Sequence, residues 1–289
     1  MTTPVPPSAN SEKPWGLINL PPFPAVALKL LRLIDKDEVG IHKLANLIRA
    51  DVALSTEILT IANSALFASR TEITGILQAT VLLGLQRVKA LAVTVGMRVY
   101  LTDSMKIPAL LACWRHSLAC ALLAEELALG NFMDKDSVYT AGLIHDIGRL
   151  ALAVIQPAQY AHFLTNTEVY PCDVLKQERE LFGIDHCQAG RWLVEAWKLP
   201  GSFADVTAHH HAEPKNEESE VVGLVRHACR LADALGFAAA RSLDARSYQE
   251  LLERLSARER RQLPLDQEAL ALKIATKINA MEQKSGLLT

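Results

Sequence analysis

The residues with the clearest chemical potential are a histidine and an aspartate that stand side by side in an apolar stretch, His145 and Asp146. A buried carboxylate is costly unless a cation, a metal ion or good hydrogen bonds compensate it. Arg149 follows Asp146 by three residues, a spacing that allows an ion pair within one helix. A metal ion held between the imidazole and the carboxylate is the alternative, and the dipeptide alone is compatible with both.

Other histidines and a second aspartate could complete a metal site. Imidazole and carboxylate ligands together suit iron, manganese or zinc, and a carboxylate can bridge two ions, so we expect one or two divalent transition-metal ions. Taken singly, His116 also fits a hydrogen-bonded core histidine, and the triplet 209–211 fits a solvated helix end. The candidate metal ligands are His116, His145, Asp146, His186, His209, His210, His211 and Asp233.

The elements that must position these residues are helices, because apolar residues recur every three or four positions along the chain. No stretch of alternating apolar and polar residues lies between the turn signals of a β-hairpin, so the sequence predicts an all-α fold. The stretch 108–129 is apolar on two sides, which predicts burial on both and an inward-pointing His116. Helices are predicted over 76–83, 108–129, 135–156, 173–182, 186–198, 203–210, 219–236, 246–256 and 266–283.

These helices are expected to form a two-lobed bundle. The best candidate for an internal boundary is the stretch from Thr102 to Pro108, which is polar and then stopped by proline. The predicted organisation has four parts: a flexible tail over 1–19, an N-terminal helical lobe over 20–104, a second lobe with the histidines over 105–240, and C-terminal helices over 241–289.

The composition excludes several classes of protein. Half of the 289 residues are hydrophobic and 21% are charged, so apolar burial can offset the entropy of folding. Thirty basic against 32 acidic residues argue against a dedicated nucleic-acid binder. We expect no membrane partner and a cytoplasmic location, since neither a long apolar run nor a signal peptide is indicated. The five widely spaced cysteines are expected to be reduced, buried thiols that act as small core residues.

Several motifs, taken in order, resemble those of known families. His116, the string from His145 to Arg149, and Asp233 are similar to the H…HD…D pattern of the HD superfamily of metal-dependent phosphohydrolases. Four earlier motifs resemble those of the HDOD domain, an HD-related output domain of bacterial signalling proteins. They are LPPFPAVA over 20–27, LIRADVAL over 47–54, IANSALF over 61–67 and QATVLLGL over 78–85. The resemblance runs from about residue 15 to about residue 240 and implies an HD-like fold for the second lobe.

The resemblance also implies a ligand set. HDOD domains are thought to be regulatory or scaffolding modules, and many lack HD ligands, whereas this chain keeps the four residues of the HD pattern. His186 and the triplet 209–211 stand in places similar to the additional histidines of the HD-GYP cyclic-dinucleotide phosphodiesterases. Arg149 replaces the lysine usual in those enzymes, and no Gly-Tyr-Pro follows the triplet. Both departures argue against hydrolysis of cyclic-di-GMP.

Two functions follow from this resemblance. The favoured one is a bacterial signal-transduction module that regulates a protein partner, turns nothing over and retains an HD-type metal site. The alternative is a metal-dependent phosphohydrolase or phosphodiesterase that acts on a nucleotide or another phosphoester. In that enzyme Asp146 would be catalytic at the metal, and Arg149 would offset charge on the phosphate oxygens.

Overall fold

Helix follows helix along the chain, and the described residues contain no β-strand, which confirms the all-α prediction. The computed structural model describes residues 23–32, 40–63, 72–214 and 218–282. The helices in these ranges are α1 (Ala25–Leu31), α2 (Ile41–Arg49), α3 (Val52–Ala62), α4 (Ile76–Leu83), α5 (Leu85–Leu101), α6 (Pro108–Gly130), α7 (Lys135–Ile144), α8 (Ile147–Ile155), α9 (Pro157–Val169), α10 (Val174–Phe182), α11 (His186–Ala196), α12 (Gly201–His209), α13 (Glu220–Ala232), α14 (Tyr248–Arg254), α15 (Ala257–Arg260) and α16 (Gln267–Glu282).

The first five helices pack on one another around α5, which contacts α1 to α4 and also reaches α7. A short 3₁₀ turn over Ser104–Lys106 follows α5, and Pro108 then occupies the first turn of α6. The candidate boundary at 102–108 therefore coincides with a change of helix. The limits of the lobes themselves remain predictions, and the predicted tail over 1–19 lies outside the described residues.

The longest described helix is α6, which packs against α7 and α13. Its two apolar stripes predict burial on two sides, and the structure agrees, because Trp114 and Cys120 are both fully enclosed. His116 lies on the same helix and is 3% exposed. The inward direction expected for this histidine is therefore confirmed.

The predicted helix 135–156 is wrong in one respect, because the chain breaks at the histidine–aspartate pair. The last helical residue of α7 is Ile144, and Asp146 has φ −100° and ψ 22° before α8 begins. The His145 ring donates to the carbonyl of Gly142 at 2.6 Å. The break lets α8 turn onto α11, where a Cβ on Gly148 would collide with the backbone of His186.

Several helix ends follow the expected capping chemistry. Asp185 accepts a hydrogen bond from the backbone N–H of Gln188 and forms a capping box at the start of α11. Gly183 ends α10 with φ 73°, a left-handed conformation that favours glycine. The helix α9 was not predicted, although Pro157 stands at its first turn as a start signal.

The segment Lys135–Ile155 has the length and the mean hydropathy, 1.4, of a membrane-crossing helix. However, 89% of the most apolar 18-residue window in this segment is buried inside the protein, so its apolar residues belong to the core. All five cysteines are free thiols, as predicted, and only Cys172 is not fully buried.

Candidate metal centre

Helix ends bring buried polar side chains together around Asp146. The break between α7 and α8 directs both His145 and Asp146 to this point. His116 comes from within α6, His186 is the first residue of α11, and His210 caps the end of α12. All five side chains belong to residues that are at most 3% exposed.

The Asp146 carboxylate is the centre of the cluster, and its two oxygens have different neighbours. Oδ2 lies 3.7 Å from Nε2 of both His116 and His145. Oδ1 lies 3.2 Å from His210 Nε2 and 3.3 Å from His186 Nε2 but forms no hydrogen bond. Burial opposes ionisation of Asp146, yet nearby positive charge holds its pKa well below the usual range. The carboxylate is therefore a buried anion.

Three of the histidines are held by backbone carbonyls with Nε2 towards this anion. The Nδ1 atoms of His116, His145 and His210 lie 3.0, 2.6 and 3.1 Å from carbonyl oxygens. Because a carbonyl oxygen only accepts, Nδ1 carries the proton and each neutral ring keeps a lone pair on Nε2. Burial lowers the pKa of His145 and of His210, which favours the neutral rings.

This arrangement of lone pairs fits a cation. Nε2 of His116 and Nε2 of His145 are only 3.3 Å apart, so their lone pairs repel each other unless a positive charge lies between them. The buried Nε2 of His210 has no hydrogen-bond partner, which is rare for a buried polar atom. Histidines whose Nδ1–H is fixed by a carbonyl are typical metal ligands. The described residues therefore suit a divalent transition metal such as zinc, iron or manganese.

A second group of neighbours of Asp146 forms an ion-pair network, the Arg149 side, made of Arg149, Tyr160, Glu178 and His186. Arg149 donates from Nε to Asp146 Oδ2 at 2.8 Å, so the predicted ion pair exists, is buried and involves the carboxylate oxygen that also faces His116 and His145. Glu178 accepts from the Tyr160 hydroxyl at 2.6 Å and from His186 Nδ1 at 2.5 Å.

The electrostatics of the Arg149 side favour positive charge. Burial lowers the pKa of Arg149, but Asp146, Tyr160 and Glu178 outweigh it and raise that pKa. Burial and Arg149 likewise oppose protonation of His186, yet Glu178 and Asp146 raise its pKa above the ordinary value. This side therefore supplies two positive groups of its own.

Two residues near the end of α13 contact His116 at different ring nitrogens. Cys229 is 2% exposed, and its Sγ lies 3.5 Å from His116 Nε2. Asp233 Oδ1 lies 3.3 Å from His116 Nδ1, the nitrogen that faces away from Asp146. The ligand role of Asp233 remains a prediction. We call His116, His145 and Cys229, whose ligand atoms lie within 4.8 Å of one another, the His116 side.

The members of the histidine triplet separate because α12 ends at His209. His210 enters the cluster. His211 is exposed, and its ring centroid lies 4.3 Å from that of His210, so it could still reach an ion near Asp146. His209 is half-buried and hydrogen-bonds through Nδ1 to the carbonyl of Asp205 at 3.1 Å. The structure does not bring His209 to the cluster.

Sequence reasoning missed Glu178, Tyr160 and Cys229. Glu178 is fully buried on α10 between two apolar residues, Val174 and Phe182, each one turn away. That spacing places a carboxylate on the apolar face of its helix, a signal that the sequence contains. Cys229 stands one turn before Asp233 and carries no comparable signal.

A cleft with a volume of about 770 Å³ opens onto the cluster, where its lining includes His116, Arg149 and Cys229. Its outer part is lined by both basic and acidic residues, among them Arg246 and Glu168. A cleft of this size can enclose a ligand as large as a nucleotide.

The fold and the cluster define an all-α protein with a buried histidine–aspartate site. The sequence profile of the HDOD domain matches residues 20–213, which is more than half of the chain. The chain therefore belongs to the HDOD domain family. The matched region contains the site from His116 to His211, and it ends before Cys229 and Asp233.

Individual relatives agree with this membership. The chain is similar to an HDOD domain protein of unknown function from Geobacter sulfurreducens, with 23% identity, a TM-score of 0.70 and 93% coverage of both chains. It is also similar to a Shewanella amazonensis SB2B protein named for an inferred metal-dependent phosphohydrolase activity, with 22% identity, a TM-score of 0.59 and 92% coverage of both chains. At these identities the likeness shows the fold alone.

One curated relative is an uncharacterized protein of Treponema pallidum (strain Nichols), which is 26% identical over 207 residues. The match covers 69% of this chain and 39% of the relative, so the chain spans well under half of that protein.

Proposed function

We propose that this chain is a regulatory HDOD module of bacterial signal transduction that binds one divalent transition-metal ion through His116, His145 and Asp146. The observation that supports it best is the 3.3 Å approach of two Nε2 lone pairs beside a buried carboxylate. When bound, the ion would neutralise Asp146 and supply a Lewis acid at the inner end of the cleft. The chain's own contribution is to fix the rings of both histidines through their Nδ1–H groups.

The Arg149 side is the reason to propose one ion and a regulatory role. A two-ion hydrolase needs a second cation near Asp146 Oδ1. His186, whose pKa is raised, lies 3.3 Å from that oxygen, and the guanidinium of Arg149 binds the other oxygen of the same carboxylate. Arg149 is in turn paired with Asp146 and lies 3.6 Å from Glu178, so it is part of the buried structure. A second metal ion would have to enter against these charges.

A protein partner in a signalling pathway is the expected recipient of the output, and the cleft could hold a phosphorylated small molecule as input. We propose a cytoplasmic location and neither a nucleic-acid nor a membrane partner, in keeping with the nearly balanced charge and the buried apolar helices.

The second candidate function is a metal-dependent phosphohydrolase, and the cleft favours it. The lining of this cleft includes both His116 and Arg149, so a phosphoester at its inner end would meet the metal ligands and a guanidinium together. In this function Asp146 holds the metal, and Arg149 binds a phosphate oxygen with the charge-assisted geometry that arginine provides.

Elemental analysis of the full chain, purified without a histidine tag, tests the metal. We expect about one transition-metal ion per chain, loss of that ion in His145→Ala, and its retention in the neighbouring control His209→Ala. A metal-free wild-type protein would refute the proposal.

A turnover assay separates the two functions. The metal-loaded protein is incubated with bis(p-nitrophenyl) phosphate and with ATP, and phosphate or nitrophenol release is compared with that of Asp146→Ala. The regulatory proposal expects equal background rates. Release by the wild type that Asp146→Ala abolishes would replace it with the hydrolase.

A further inference from the structure

Cys229 is a buried thiol placed against the histidines of the His116 side. It lies on α13, one helical turn before Asp233, and its side chain is enclosed while still forming part of the cleft wall. Its Sγ approaches His116 at Nε2, the nitrogen with the lone pair, at 3.5 Å. Asp233, the expected HD ligand, instead contacts Nδ1 of the same ring.

Four of the six distances among four donor atoms match those of one tetrahedral site. Ligand atoms about 2.0–2.3 Å from a common metal ion lie about 3.3–3.8 Å from one another in a tetrahedron. Nε2 of His116 lies 3.3 Å from Nε2 of His145, 3.7 Å from Asp146 Oδ2 and 3.5 Å from Cys229 Sγ. The distance from His145 Nε2 to Asp146 Oδ2 is also 3.7 Å. Four of the six edges therefore have the required length before any ion is added.

We propose that Cys229 is the fourth ligand of the metal ion, completing a His116–His145–Asp146–Cys229 site. The inference rests on the proposed metal-binding function and specifies its chemistry. On binding, the thiol S–H bond breaks, its proton passes to solvent, and the sulfur forms a bond to the metal with no change of oxidation state. In the metal-free protein, burial raises the pKa of the Cys229 thiol, which favours its protonated form.

This ligand set has two consequences. A thiolate beside two imidazoles selects zinc over manganese, because soft ligands bind manganese weakly. Four protein ligands also close a tetrahedral zinc site, whereas catalytic sites keep one position open for water. Asp233 is then a positioning residue that orients His116 through Nδ1, as carboxylates do behind many metal-bound histidines.

X-ray absorption spectroscopy of the zinc-loaded full chain tests the proposal directly. We expect one sulfur scatterer at about 2.3 Å and nitrogen or oxygen scatterers at about 2.0–2.2 Å. The sulfur shell should vanish in Cys229→Ser and persist in Cys120→Ser, a matched control because Cys120 is equally buried and its Sγ contacts a backbone carbonyl. It should also persist in Asp233→Asn.

Cobalt substitution gives a second readout that does not depend on a variant folding. The wild-type protein loaded with Co²⁺ should show a thiolate-to-metal charge-transfer band in the near ultraviolet. Zinc bound only by nitrogen and oxygen, with no such band for cobalt, would overturn the assignment of Cys229 and leave the metal-binding function standing. A protein that binds neither ion would overturn both.

Discussion

The two sides of Asp146 compensate the same buried charge in different ways. On the Arg149 side the chain supplies the positive charge itself, through a guanidinium 2.8 Å from Oδ2 and a histidine whose pKa is raised. On the His116 side it supplies only neutral donors, and two of their lone pairs face each other at 3.3 Å. The charged groups of the Arg149 side are paired with one another, whereas the three donors of the His116 side are neutral and suit a cation.

This difference indicates where an ion would bind. A buried carboxylate next to a paired arginine is a common structural solution and carries no implication of a metal. Burying the same carboxylate beside fixed imidazole lone pairs and a thiol costs free energy unless a metal ion is bound. Removing the guanidinium of the Arg149 side should therefore raise the number of ions bound, whereas removing a neutral donor of the His116 side should lower it.

The largest effect is expected from Asp146→Ala, which removes the anion shared by both sides. The free energy of unfolding should fall by about 4 kcal/mol, because Arg149 loses its nearest carboxylate in the interior. Metal binding should fall to background at the same time. Urea unfolding and elemental analysis measure the two effects. The control is Asp205→Ala, at an exposed position, which should change the free energy of unfolding by at most about 0.5 kcal/mol. An unchanged metal content in Asp146→Ala would contradict the assignment of Asp146 as a metal ligand.

Arg149→Met removes the built-in cation. In the metal-free protein we expect a loss of about 3 kcal/mol, because Asp146 and Glu178 lose the guanidinium that offsets their charge. Binding of divalent zinc should restore the lost stability, and the number of zinc ions bound should rise from about one per chain to about two. Isothermal titration with zinc counts the ions. Arg191→Met, which removes only an exposed pair with Glu195, should leave both values unchanged; a variant that still binds a single ion would contradict the role given to Arg149.

Gly148→Ala changes the geometry of the Arg149 side without changing its charge. The added Cβ would meet the backbone of His186 and Gly190, so α8 and α11 must separate, at a cost of about 1–3 kcal/mol. Zinc stoichiometry should stay at about one, because no group on the His116 side is removed. Gly201→Ala is the control, since a Cβ there meets nothing within 4 Å. Equal stability of the two variants would show that the close approach of the helices is unimportant.

The smallest effects concern pH in the metal-free protein, where the two sides should respond with opposite sign. The pKa of His145 is lowered by burial, so its contribution to stability is complete above the unfolded pKa of about 6.5 and is lost as the pH falls towards the folded value. The pKa of His186 is raised, so its contribution is complete below about 6.5 and is lost as the pH rises through the folded value.

Each of these groups should change stability by at most about 1.4 kcal/mol per pH unit. Urea unfolding measured between about pH 5 and pH 9 gives the profile. His145→Gln should reduce the loss of stability at acid pH and leave the alkaline part of the profile unchanged. His186→Gln should reduce the loss of stability at alkaline pH and leave the acid part unchanged. If both variants changed the same part of the profile, the two sides would not differ in protonation as described.

Much of the fold could be predicted because local patterns determine it. Apolar residues spaced by three and four positions predict the helices, and two apolar stripes on one helix predict the buried position of His116. The spacing of Asp146 and Arg149 gave their ion pair. These features depend on residues close together in the chain, where helix geometry is fixed.

The parts that could not be predicted depend on contacts between distant segments. The break at His145 lies in an unbroken apolar pattern, and it accompanies a close approach of α8 to α11 at Gly148, a contact between segments about 40 residues apart. Which histidine of the triplet enters the site depends on where α12 ends. Cys229 looked like a small core residue because its approach to His116 spans 113 positions of the sequence.

Native mass spectrometry of the full, untagged chain measures the number of bound ions directly, because the folded protein is weighed together with its ions. The charge difference between the two sides of Asp146 predicts a single species whose mass exceeds that of the chain by one transition-metal ion. A species without metal, or a main species with two ions, would contradict it.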